Sequence, residues 1–168
     1  MYRGHEIRGG VCMKVYVVIL ALAVSLLLSA AICFGGPAPK ATGAGEFTRT
    51  EDGMEIEARF SFEAHGEYAN RPAKGWFKYR DSMGNEFTID VQCVTVQGND
   101  AFFSGPVAKT NMDDWEGMWL LLWVEDGGSP AEDNDTLGGE MFDYDPGCSP
   151  NLYPNDYWPV TNGNIVVH

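Results

Sequence analysis

Hard oxygen donors crowd one stretch of this sequence, where Glu125, Asp126, Glu132, Asp133, Asp135 and Glu140 follow one another closely. Carboxylates at that density suit calcium, which takes about six to eight oxygen ligands. Asp126, Asp133 and Asp135 are the candidate ligands. Their spacing is not that of an EF-hand: Leu137 stands where the third ligand belongs, although Gly138 falls at the turn-glycine position. The competing reading is that Asp126 and Asp135 cap turns by accepting backbone amides.

Groups suited to catalysis are sparse. Beyond the N-terminal apolar run the histidines are His65, at the end of an alternating stretch, and the terminal His168, and no GxSxG surrounds a serine. Carboxylate pairs such as Asp113 with Asp114 are too common here to mark glycoside hydrolysis, which needs two at a set separation across a cleft. The aromatic residues say more. Trp115 and Trp158 lie in polar or proline-rich surroundings and offer a binding platform for a sugar or protein, packing at the core rim being the alternative. Asn134-Asp135-Thr136 is a glycosylation sequon in an apparent loop.

These residues sit in a chain built for export. Val15 to Phe34 is an apolar run broken only by Ser25 and Ser29, with Arg3, Arg8 and Lys14 before it. That pattern is a signal peptide, or an anchor if retained, in an N-in orientation. Met13-Lys14 is its expected opening. Ser29-Ala30-Ala31 offers a cleavage point, whereas lipidation of Cys33 is disfavoured by the bulky Ile32 before it. Past this run, eight basic residues face 23 acidic ones, a net charge of −15. Lys109 is the last basic residue, so nucleic acid is excluded as a partner and any membrane contact is through the N-terminal segment.

Cys93 and Cys148 remain after the cysteines of the targeting region are set aside. In an exported domain they are expected to form a disulfide, contributing on the order of 4 kcal/mol by the chain-entropy argument.

Residues 1–34 are thus read as signal peptide or anchor with a hydrophobic helix, 35–45 (GGPAPKATGAG) as a flexible linker, and 46–168 as one domain. Met54 to Ala64 alternates apolar and polar residues throughout, the mark of a half-buried strand. Glu46–Thr50 is expected to pair with it through an acidic turn ending at Gly53. Trp76–Arg80 alternates again, and Phe87, Ile89, Val91 and Cys93 are expected on one buried face. Gly105-Pro106 suggests an interruption suited to an edge or bulge. Met118–Val124 is apolar at every position, a strand covered on both faces. Met141–Asp145 suggests a short strand, and Asn162-Gly163 a turn into a last strand, Ile165–Val167. No helical period is present after the tether. The fold expected is all-β, an antiparallel sandwich or partly closed barrel of about seven or eight strands.

Several of these motifs together resemble a known group. They are Ala41-Thr42-Gly43 with Gly45, the FxFxA of Phe60, Phe62 and Ala64, and the GxFxYRD of Gly75, Phe77, Tyr79, Arg80 and Asp81. Val94 to Gly105, the VxDGG of Val124 to Gly128 and the closing GNIVVH of Gly163 to His168 complete the set. The chain is similar to small exported bacterial and archaeal β domains of the post-COAP type. The resemblance implies a compact extracellular β domain and carries no catalytic residue across. The expected role is non-catalytic binding or structure at the cell surface, through an extracellular protein or glycan partner. The alternatives are a calcium-stabilised adhesion domain and a small secreted hydrolase.

Overall fold

The computed structural model describes residues 37–128, 134–151 and 157–168. The apolar run 15–34 with its expected helix and cleavage point lies outside these, as does Asp133. The described residues form nine strands: β1 Lys40–Glu51, β2 Met54–His65, β3 Lys74–Asp81, β4 Glu86–Val91, β5 Cys93–Gln97, β6 Asp100–Thr110, β7 Trp119–Glu125, β8 Thr136–Phe142 and β9 Trp158–Val167. All neighbours are antiparallel in the order β4-β3-β2-β1-β9-β8-β7-β6-β5, and β4 also pairs with β6. The sheet therefore closes into an eight-stranded barrel, with β5 attached outside the ring along β6.

The alternation in β2 is the reason a barrel can form. Ile56, Ala58, Phe60, Phe62 and Ala64 point inward and are buried, while the residues between them face out. β1 pairs with β2 along twelve residues, from Lys40 opposite His65 to Glu51 opposite Met54. Asp52 and Gly53, both at positive φ (50° and 79°), make the two-residue turn between them.

β1 begins at Lys40, well inside the expected linker. Gly43 and Gly45 look like tether residues, yet they occupy inward positions opposite Phe62 and Phe60. A Cβ at Gly43 would lie 2.6 Å from the Phe62 ring, so the absence of a side chain gives the ring its space. Small residues facing large ones is how a narrow barrel interior fills.

A further expectation is corrected, and another in part, by close backbone packing. Asn162-Gly163 is not a hairpin turn but lies within β9, beside a register shift opposite Glu46 and Phe47. A Cβ at Gly163 would run into the Ala44 carbonyl. Gly105-Pro106 lies inside β6, which is paired on both sides and is not an edge, but the register with β4 shifts just after it, between Val107 and Lys109, as a bulge would. Pro106, with no N–H to offer, sits where the neighbour changes from β5 to β4, and the missing Cβ of Gly105 admits the Asp90 carbonyl.

β7 is covered on both faces as its composition requires. Leu120, Leu122 and Val124 enter the barrel core, and Leu121 and Trp123 join Phe102 and Cys148 in a second cluster outside the wall. Cys93 belongs to this outer cluster and does not share the buried face of Phe87, Ile89 and Val91, because the strand breaks at Gln92. It is joined to Cys148 in a disulfide, with the two Cα atoms 5.7 Å apart. At the pole of the barrel where β1 starts, Lys40 and His168 hydrogen-bond through their backbones in both directions, at 2.8 and 3.3 Å.

Candidate functional site

The barrel is not filled along its whole length. At the end formed by the β1–β2 turn, the β3–β4 turn and the start of β7, the interior opens into a cavity of about 380 Å³. Its floor is apolar and buried, made by Ile56, Phe77, Leu120 and Leu122. Met54, Met83, Met112 and Met141 also line it, the first two exposed. Thioether side chains are flexible and polarisable, and adapt to differently shaped apolar bodies.

Trp115 and Trp158, far apart in sequence, line this same cavity, each partly buried. Trp158 stacks on Phe47 at 5.2 Å between ring centres, Phe47 lies 6.3 Å from Tyr79, Tyr79 stacks on Phe87 at 4.8 Å, and Phe87 lies 5.5 Å from Trp115. The two tryptophans are therefore the ends of a continuous arc of five rings. Core-rim packing and a place on a concave surface are combined in one arrangement.

The polar groups of the cavity centre on Asp81, whose side chain is fully buried. Its carboxylate accepts the amides of Met83 and Asn85 (both 3.0 Å), the Asn85 side-chain NH2 (3.0 Å) and the Tyr79 hydroxyl (3.1 Å). Burial alone would raise its pKa, but the Asn85, Tyr79 and Met83 hydrogen bonds outweigh it and hold the group below its ordinary value. Burial, only partly offset by Arg49 and reinforced by Asp81, pushes the Tyr79 hydroxyl far above its ordinary range, so it stays a donor.

Arg49 was not singled out from sequence. It lies opposite the buried Ile56, at an inward-facing position of β1. Its Nη2 is 3.1 Å from Glu51 and 3.6 Å from Asp81, and its guanidinium lies 5.9 Å from the centre of the Tyr79 ring. Its Nε is buried without a hydrogen-bond partner. The signal was present in the sequence, since Ala41, Gly43, Gly45, Phe47 and Arg49 continue one period-2 face.

The remaining sequence candidates lie elsewhere. The acidic loop after β7 is at the opposite end of the barrel from the cavity. There Asp135 accepts the amides of Gly127 (2.9 Å) and Ile165 (2.6 Å), and Asp126 accepts those of Gly128 and Val167 (both 3.0 Å). Both aspartates thus hold backbone amides with both oxygens. Among the described residues no group of three or more His, Cys, Asp or Glu is placed to hold a metal ion. His65 Nε2 lies 2.7 Å from Glu63, also away from the cavity, and Asn134 is exposed. Comparison with protein-family models, with curated proteins and with solved structures gives no match.

Proposed function

We propose that this protein is an exported, non-catalytic binding protein that takes a small, largely apolar ligand into the open end of its barrel. The observation that carries this reading is the cavity itself, about 380 Å³, floored by apolar side chains and flanked by the aromatic arc from Trp158 to Trp115. Ligand cavities have this size and character, and the mouth of a β-barrel is a recurrent place for them. Export is supported by the N-terminal apolar run and by the Cys93–Cys148 disulfide, which is compatible with an oxidising compartment. The compact extracellular β domain that the post-COAP resemblance implies fits this reading.

The test uses the full chain, exported through its own N-terminal segment and purified, with N-phenyl-1-naphthylamine as a neutral fluorescent probe. The expected result is saturable one-to-one binding, with quenching of tryptophan emission because Trp115 and Trp158 line the cavity. Met141→Trp, which places bulk in the cavity, is expected to abolish it. Binding that survives Met141→Trp unchanged, or no binding at all, would overturn the reading.

A further inference from the structure

The cavity's polar demand is one-sided, and this bears on the ligand's chemistry, an inference that rests on the binding reading above. The buried acceptor is already provided for: both Asp81 oxygens take hydrogen bonds from Tyr79, Met83 and Asn85, while the Glu51 and Asp52 carboxylates are exposed to water. The donors are not. Arg49 brings a permanently charged guanidinium to an inward position, and its buried Nε has no partner. Its neighbouring Nη2 is held by Glu51, whose side chain is 58% exposed and so is free to give way to water. Asp81, at 3.6 Å from Nη2, is beyond direct hydrogen-bonding distance.

We infer that the ligand is a carboxylate with an apolar or aromatic body, its head group on the Nε and Nη2 edge of Arg49 in place of Glu51 and its body along the rings between Trp158 and Trp115. A guanidinium edge and a carboxylate match as two parallel hydrogen bonds, the strongest form such a contact takes. A cationic ligand would meet Arg49 itself, find Asp81 already occupied, and have only the water-exposed carboxylates of Glu51 and Asp52 to turn to. A neutral ligand would leave Arg49 paired with Glu51 and its buried Nε still without a partner.

Displacement of N-phenyl-1-naphthylamine from the full chain separates these cases, using 6-phenylhexanoate, 6-phenylhexanol and 6-phenylhexylammonium, which share one body and differ in head group. The acid is expected to displace the probe at roughly tenfold lower concentration than the alcohol, the scale of one charge-assisted contact. In Arg49→Gln the ratio between acid and alcohol displacement is expected to fall to about one. Glu51→Gln alters an exposed side chain, leaves folding intact, and is expected to strengthen acid binding several-fold. Acid and alcohol displacing equally, or the ammonium displacing best, would overturn the carboxylate inference and leave the cavity reading standing. Failure of the probe and of all three compounds would overturn both.

Discussion

Asp135 and Ile165 are joined across the thinnest seam of the barrel, the Ile165 amide donating to the Asp135 carboxylate at 2.6 Å. Strands β8 and β9 share only two register pairs, Thr136 with Pro159 and Leu137 with Trp158. Beyond them, amides on the open side of β9 are taken by side chains, Ile165 by Asp135 and Val167 by Asp126. Two carboxylates thus stand in for the strand that is missing there, and a buried amide without a partner is costly.

Asp135→Ala is therefore expected to destabilise the protein by about 2–3 kcal/mol, because it strands the amides of Ile165 and Gly127. Urea denaturation measures it. Asp126→Ala, at a more exposed site, should cost less. With both carboxylates occupied by amides, replacing EDTA with calcium is expected to leave the melting temperature unchanged within repeat error.

Reducing the Cys93–Cys148 disulfide, which spans 55 residues, is expected to lower stability by about 4 kcal/mol. Cys93→Ser with Cys148→Ser should match the reduced wild type in guanidinium denaturation. The barrel ring does not include β5, so the circular-dichroism signature of the folded sheet should persist in dilute buffer.

Gly43→Val is expected to cost about 1–3 kcal/mol or more by overpacking, since even a Cβ would come within 2.6 Å of Phe62. Gly53, in the turn after β1, has open space around it but φ of 79°, so Gly53→Val should be disfavoured by backbone conformation instead. Gly43→Val paired with Phe62→Leu should recover part of the loss, which the Gly53 variant would not. Thermal melts of the three variants separate crowding from strain.

Asp81 sets an acid limit. Its pKa is lower folded than the 3.8 of the free group, so its contribution is fully present above about pH 4 and is lost as pH falls through the folded value. Asp81→Asn should cost roughly 1–3 kcal/mol at neutral pH and flatten that acid limb. Denaturation at a series of pH values between about 2 and 6 reads both effects.

Much of the wall was legible because β2, β3 and β7 carry burial in their own order of side chains. Phe60 and Phe62 alternate with Arg59 and Ser61, and Leu120 to Val124 shows a strand covered on both faces. What escaped depends on contacts between distant segments. Gly43 and Gly45 read as tether until Phe60 and Phe62 are seen opposite them, and Gly163 reads as a turn until the Ala44 carbonyl is seen beside it. Closure of β4 onto β6 has no local signature at all, so neither has the cavity. Trp115 and Trp158 were visible as candidates, but that they flank one site follows only from the ring being closed.

The backbone pairing of Lys40 with His168 has a practical reading. The start of β1 and the end of β9 share one pole of the barrel, and the cavity opens at the other. A tag, a surface for immobilisation or a fused reporter joined after His168 would therefore sit behind the barrel and leave the entrance unobstructed.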